Sequence, residues 1–115
     1  MADLLGALEY AILIALLRLR DDAYGASIRR ELETRGDRRV SLGAVYTTLD
    51  RLEAKGLVAS RTGAPTAVRG GRRKRLCSLT PVGERALAAT WDAQQRLTDG
   101  LEGELARLQR EASDV

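Results

Sequence analysis

A mainly α-helical fold with one small β-hairpin and a long C-terminal helix is predicted from three features of the sequence. Apolar residues recur at helical spacing in four separate segments. Residues 61–75, RTGAPTAVRGGRRKR, contain the glycines and proline that are typical of a hairpin loop. Thr80-Pro81 is a helix start signal, with a capping hydroxyl followed by proline at the first helical position.

The first two helices are predicted over residues 3–20 and about 23–35. The first carries apolar residues on more than one side, which indicates burial. Two interpretations are open for it: a core helix, or a core helix that also contacts a second subunit. The second helix is expected to place Ile28 and Leu32 in the core and to end at Gly36, with residues 37–39 forming a turn.

The third helix is predicted to begin after Ser41, a favourable N-cap residue, and to end at Gly56. Its core-facing stripe is expected to be Leu42, Val45, Leu49 and Leu52. The opposite face then has small or hydroxylic side chains and one arginine: Gly43, Ala44, Thr47, Thr48 and Arg51. Such low-profile side chains near a helix N-terminus are suited to a helix that enters a major groove.

Strands are predicted over residues 57–61 and 76–79, and the last helix over residues 81–110. An apolar seam follows this helix at spacings of three or four residues: Leu87, Trp91, Gln94, Leu97, Leu101, Leu105 and Leu108. No other segment of a 115-residue chain is long enough to cover the seam, so we expect it to pair with a second subunit. Gly100 and Gly103 are expected to weaken the helix. Residues 111–115 are expected to be frayed.

The net charge of +3 is unevenly distributed along the chain. Residues 1–60 hold nine basic and nine acidic residues, residues 61–75 hold six basic residues and no acid, and residues 84–115 hold four basic and seven acidic residues. This pattern favours a local anionic partner. The phosphate-contact candidates are Arg69, Arg72, Arg73, Lys74 and Arg75. The alternative is a solvated basic loop.

Composition excludes several functional classes. The chain has no histidine, which removes the commonest general base and metal ligand, and no catalytic or metal site is predicted. We also predict no cofactor. No apolar run approaches the roughly 18 residues that span a membrane, and a single cysteine, Cys77, suits a reducing cytoplasm. We therefore expect a cytoplasmic protein without a membrane partner. Cys77 is expected to be a buried strand residue; the alternative is that Lys74 and Arg75 lower the pKa of its thiol and make it redox-sensitive.

Several motifs together resemble the PadR-type transcriptional regulators. They are Ala23-Tyr24-Gly25-Ala26-Ser27-Ile28, the helix SLGAVYTTLDRLE at residues 41–53, Lys55-Gly56-Leu57-Val58, the basic run at residues 72–75, and Leu79-Thr80-Pro81-Val82-Gly83. The resemblance covers residues 5 to 110. The chain departs from it at Thr47, where many relatives have proline, and at Leu76 and Cys77, where many have an aromatic pair.

The resemblance implies a winged helix-turn-helix dimer that binds a pseudo-palindromic duplex operator, usually as a repressor. It implies a DNA-binding domain over residues 1–80, with the helix at residues 3–20 also at the dimer interface, and a dimerisation helix over residues 81–110. The expected DNA-binding residues are Ser41, Gly43, Tyr46, Thr47, Thr48, Arg51, Arg69, Arg72, Arg73, Lys74 and Arg75. The expected dimer-interface residues are Leu8, Ile12, Leu87, Trp91, Leu97, Leu101, Leu105 and Leu108.

Three alternatives are left open by the sequence. Tyr46 could donate its hydroxyl to a phosphate or be half-buried core. Trp91 could be a packing anchor or, as in the multidrug-binding relatives, line a pocket for a flat apolar effector at the dimer centre. The protein as a whole could be a DNA-binding repressor that acts by operator occlusion, a ligand-responsive regulator, or a winged-helix adaptor that binds proteins only.

Overall fold

The computed structural model describes residues 5–63 and 73–114. Helix α1 (Ala7–Leu19) is followed by a 3-10 turn (Arg20–Asp22), α2 (Gly25–Arg35) and α3 (Leu42–Ala54). Strands β1 (Val58–Thr62) and β2 (Arg75–Leu79) form an antiparallel pair, and α4 (Pro81–Thr98) and α5 (Glu102–Ser113) complete the chain. The predicted mainly helical fold with one hairpin is confirmed.

The core lies between the first three helices, the two strands and the start of α4. Its largest fully buried side chains are Ile12, Leu13, Ile28, Val45, Leu49 and Leu52. One ion pair fastens α1 to the end of α3 at the edge of this core. Lys55 Nζ lies 2.8 Å from Glu9 Oε2, and this hydrogen bond lowers the pKa of Glu9 despite partial burial of the carboxylate.

The strand pair is extended on both sides by main-chain hydrogen bonds. Gly63 N–H donates to Lys74 O at 2.7 Å, which continues the ladder one step towards the loop. On the other edge of β2, Cys77 N–H donates to Ala23 O at 2.8 Å. The hairpin stem is therefore fixed to the segment that connects α1 with α2.

The first turn of α4 packs tightly on the turn between α3 and β1. Thr80 N–H donates to Leu57 O at 3.1 Å, and Thr80 Oγ1 donates to Gly56 O at 2.6 Å while accepting from Gly83 N–H at 3.0 Å. A Cβ atom added at Gly83 would lie 2.0 Å from Leu57 O. Only glycine permits this backbone approach.

The helix ends differ from the sequence prediction at both termini of the chain. Helix α1 begins at Ala7, after Gly6, and Glu9 Oε1 accepts from Gly6 N–H at 3.1 Å. The sequence prediction began this helix at residue 3, and residues 3–4 lie outside the described residues. The predicted helix over residues 81–110 is two helices, because the chain turns at residues 99–101, where Gly100 has a φ of 85°. Helix α5 then continues to Ser113, so residues 111–113 are helical and the expected fraying from residue 111 is corrected.

We predict that Gly83→Ala lowers the free energy of unfolding by about 2 to 3 kcal/mol, because the new methyl group forces the α4 turn away from Leu57. Gly103→Ala is the matched control, since a Cβ at this helical position meets nothing within 4 Å. It should instead gain about 0.5 to 1 kcal/mol. Thermal unfolding at one protein concentration measures both, and equal shifts for the two variants would contradict the proposed contact.

Candidate nucleic-acid interface

The outward face of α3 presents most of the side chains that the sequence predicts for it. Ser41 caps the helix, and its Oγ accepts from Ala44 N–H at 3.0 Å. Gly43, Thr47 and Arg51 follow along the exposed side, and Tyr46 lies beside them with 39% of its surface exposed. These residues form one face about three turns long, which we call the α3 face: Ser41, Gly43, Tyr46, Thr47 and Arg51.

Thr48 does not belong to the α3 face, which corrects the sequence prediction. It is 5% exposed, and its Oγ1 donates to Ala44 O at 2.8 Å. Leu42, predicted in the core stripe, is 36% exposed. The helix is thus rotated so that Thr48 packs inward, and threonine tolerates this because its hydroxyl bonds the carbonyl one turn back.

Tyr46 packs against the start of α2, which the base of the hairpin also contacts. A Cβ at Gly25 would lie 2.6 Å from the Tyr46 hydroxyl oxygen, so the ring lies directly against the first turn of α2. Next to Gly25, the Tyr24 ring has Lys74 Nζ 4.2 Å from its centroid, a cation–π contact. Tyr46 of α3 and Lys74 of the hairpin base therefore contact neighbouring residues at the start of α2.

Arg75 is held by two carboxylates of α3, which distinguishes it from the other basic candidates. Its guanidinium donates to Asp50 Oδ1 at 2.8 Å and to Glu53 Oε2 at 2.7 Å. Burial opposes the charge, but these two hydrogen bonds outweigh it and raise the pKa of Arg75. Of the other four basic candidates, Arg73 and Lys74 are exposed, whereas Arg69 and Arg72 lie outside the described residues.

Sequence reasoning overlooked Arg39. This exposed residue lies two positions before the N-cap of α3 and lines a polar depression of mixed charge with Arg29, Glu33, Asp37 and Ser41. The available signal was the Arg38-Arg39 pair close to the N-cap, which the sequence analysis treats only as part of a turn. Its place beside the α3 N-terminus puts a further positive charge where base and phosphate contacts are predicted.

Cys77 is a buried strand residue at 3% exposure. Burial raises the pKa of its thiol, while the Ser60 hydrogen bond and the charge of Arg75 act in the opposite direction and do not overcome it. The expectation that Cys77 is a buried strand residue is confirmed, and the alternative of a thiol pKa lowered by the basic neighbours is not supported. Burial and a raised pKa disfavour the thiolate form that a redox-sensitive cysteine needs.

The predicted subunit contacts separate into exposed and buried residues. Five lie on the surface of α4, α5 and the turn between them: Trp91, Leu97, Leu101, Leu105 and Leu108. Ile12 and Leu87 are buried in the core of the same chain, which corrects their assignment to a subunit interface, and Leu8 is partly buried against that core. The sequence analysis did not include Leu17, which is 54% exposed on α1 and lines an apolar groove with Ile14 and Trp91.

Two further features concern metal and membrane binding. Within residues 5–63 and 73–114, no group of three or more histidine, cysteine or acidic side chains is placed to hold a metal ion. Over the same ranges, no helix combines the length and apolarity needed to cross a membrane.

Comparison with known proteins identifies the family. The Transcriptional regulator PadR-like family matches residues 13–89. The chain belongs to the PadR-like family. Transcriptional regulator Rv3488 of Mycobacterium tuberculosis is 39% identical over 77 residues, which is 67% of each chain. Membership confirms the resemblance stated above and makes the protein a transcriptional regulator and not an enzyme.

Two solved structures illustrate the shared fold. A PadR family transcription regulator from hypervirulent Clostridium difficile R20291 has a TM-score of 0.69 at 24% identity, and the match covers 88% of this chain and 99% of that one. Bacillus subtilis PadR, solved in complex with operator DNA, has a TM-score of 0.61 at 23% identity over 73% of this chain and 46% of that one. At these identities the likeness concerns the fold alone.

Proposed function

We propose that this PadR-like regulator binds duplex DNA as a homodimer and represses transcription by occluding an operator. The observation that carries the proposal is that the α3 face and the base of the basic hairpin both contact the start of α2, through Tyr46 against Gly25 and Lys74 against Tyr24. The fold is shared with Bacillus subtilis PadR, which was solved with operator DNA. A pseudo-palindromic operator follows from the two-fold symmetry of a dimer.

In this proposal α3 enters the major groove through its N-terminal half. Gly43 and Thr47 give this half a low profile, so that base edges can approach closely. Arg51 is exposed one turn further on and is long enough to reach either a base edge or a phosphate. The Tyr46 hydroxyl, Ser41 and Arg39 lie at the border of this face and would contact the phosphate backbone.

The hairpin supplies the sequence-independent part of the affinity. Arg73 and Lys74 are exposed at its base, and Arg69 and Arg72, outside the described residues, are proposed to continue the basic run. Arginine and lysine contacts to phosphates release counterions, so binding is expected to weaken steeply as salt rises. The concentration of basic residues in this segment argues against an adaptor that binds proteins only.

The dimer is proposed to form through α4, α5 and the exposed side of α1. In the described part of the chain, helix α5 has no buried residue. Leu101 at its start and Leu105 and Leu108 within it are all exposed. Exposing a row of leucines of this length to water is unfavourable, and a second copy of the same helix pair would bury it. The pairing would place two α3 helices roughly 34 Å apart, one helical turn of DNA.

We predict that the wild-type protein binds a duplex from its own upstream region more tightly than a scrambled duplex. Thr47→Ala should weaken that preference, because Thr47 is exposed on the α3 face; removing one base contact corresponds to about 1 to 3 kcal/mol. Thr48→Val is the matched control, since it removes a hydroxyl that bonds only Ala44 O inside the protein. Fluorescence anisotropy across a salt series measures the affinity of the wild-type protein and of both variants for the two duplexes.

Two outcomes would contradict this proposal. If the wild-type protein bound both duplexes with equal affinity, the proposed sequence-specific binding would be contradicted. A decrease of preference in Thr48→Val that matches the decrease in Thr47→Ala would show that the α3 face is not the reading surface.

We predict that Leu105→Glu combined with Leu108→Glu shifts the protein from dimer to monomer, because two buried charges without partners would oppose the association of α5. Gln109→Glu, an exposed change on the same helix, should leave the dimer intact. Sedimentation velocity at micromolar concentration distinguishes the species. A wild-type protein that sediments as a monomer would overturn the dimer proposal.

A second candidate function, response to a small apolar effector, is favoured by one observation. Ile14, Leu17, Leu79, Leu87 and Trp91 line an open apolar groove of about 480 Å³ between α1 and α4. Its size suits a flat molecule of a few fused rings. An effector in this groove would act on α1 and α4, the helices that we propose at the dimer interface.

We predict that flat aromatic compounds quench the fluorescence of Trp91 in a saturable manner, since this is the only tryptophan in the chain and its side chain lines the groove. Leu17→Glu should abolish the saturable quenching by placing a charge in the groove. Quenching of equal strength in both proteins, or linear quenching alone, would exclude the groove as an effector site.

A further inference from the structure

We propose that Arg75 is a positioning residue: it fixes the hairpin stem to α3 by bonding two carboxylates on that helix, it offsets one of their two negative charges, and it does not contact DNA. This inference rests on the proposed DNA-binding function and assigns one residue's part in it. The inference is based on one observation: the guanidinium of Arg75 donates hydrogen bonds to three residues, which lie on two other elements of the fold.

All three nitrogens of the guanidinium have partners inside the protein. Nε donates to Ser60 Oγ at 3.0 Å, one terminal nitrogen donates to Asp50 Oδ1 at 2.8 Å, and the other donates to Glu53 Oε2 at 2.7 Å. We call this set of four residues the Arg75 cluster. A planar guanidinium fixed at three points has little freedom to turn towards a phosphate.

The Arg75 cluster joins three elements of the fold. Arg75 is the first residue of β2 and pairs with Thr62, Ser60 lies on β1, and the two carboxylates lie on α3. Asp50 and Glu53 are three residues apart, so both point from the same side of that helix. One side chain therefore sets the position of the hairpin stem relative to the helix proposed to read DNA.

The Arg75 cluster also reduces the negative charge beside the proposed interface. Asp50 and Glu53 flank Arg51, and their side chains are 67% and 42% exposed, so two negative charges border a surface proposed to meet phosphates. Arg75 lies within hydrogen-bond distance of both carboxylates and cancels one of the two charges locally. Recruiting Arg75 to a phosphate would break both charge-assisted bonds and expose the carboxylates to the DNA backbone.

The experiment compares Arg75→Met with Arg73→Met, the matched control on the same hairpin, in anisotropy titrations of the upstream and scrambled duplexes over a salt series. Arg73→Met should reduce the slope of log K against log salt by about 0.9 for each phosphate that is no longer neutralised. Arg75→Met should leave the slope unchanged and reduce the preference for the upstream duplex about tenfold. A reduced slope in Arg75→Met would overturn the inference.

A second variant tests the same role without removing Arg75. Asp50→Asn with Glu53→Gln releases the guanidinium, so the salt slope should become steeper while the preference for the upstream duplex falls. Adding Arg75→Met to this pair should not reduce the preference further. A full additional tenfold reduction would overturn a role exerted through the two carboxylates.

Thermal unfolding without DNA separates this inference from the proposed function. The shifts caused by Arg75→Met and Glu53→Gln should be non-additive, because either change breaks the same bond. Additive shifts would overturn the Arg75 cluster. A wild-type protein that binds neither duplex would instead overturn the proposed function, whatever the unfolding shifts are.

Discussion

The close contact between the backbone of Gly83 and the carbonyl of Leu57 joins the start of α4 to the turn between α3 and β1. The turn at Gly56 and Leu57 ends α3 and begins β1, and the turn at Thr80 ends β2 and begins α4. The two turns are joined by hydrogen bonds from Thr80 to both residues of the first turn. Since a side chain at residue 83 would collide with Leu57 O, the hairpin and the C-terminal helices share one fixed junction.

This junction explains why the hairpin can serve as an extension of a helical core. The base of β2 is bonded on one edge to β1 and on the other to Ala23, so the stem is anchored to the α1–α2 connection as well as to α4. The Arg75 cluster adds a third anchor, to α3. A stem fixed in three directions holds the exposed Arg73 and Lys74 in a set position at the base of the hairpin.

Charged and apolar side chains are exposed on different elements of the described part of the chain. Basic and hydroxylic side chains are exposed on α3 and at the hairpin base, whereas leucines and the single tryptophan are exposed on α4, α5 and the turn between them. The apolar groove at Trp91 lies between α1 and α4. A ligand or a second subunit that moves α4 would therefore act on the junction at Gly83, and through it on the hairpin.

The fold class, the family and most element boundaries could be predicted from the order of residues alone. Ser41, Gly36 and Thr80-Pro81 act locally, through caps and backbone geometry, and the structure has helix ends at each. Gly43, Thr47 and Arg51 are exposed as predicted, because helical periodicity separates them from the buried Val45, Leu49 and Leu52. Such features depend on neighbours within one or two turns, which a sequence displays directly.

Other features follow from which segments meet in space, and there the sequence prediction was wrong or incomplete. Thr48 was predicted on the outward face although it lies three residues after Val45 and four before Leu52, and the structure buries it beside both. Arg75 belongs to the same basic run as Arg73, yet packing brings Asp50 and Glu53 to Arg75. Cys77 is the buried strand residue that the sequence predicts, and desolvation outweighs the effect of the Arg75 charge on its pKa. For Arg75 and Cys77 the deciding surroundings are distant in sequence, so no local pattern encodes them.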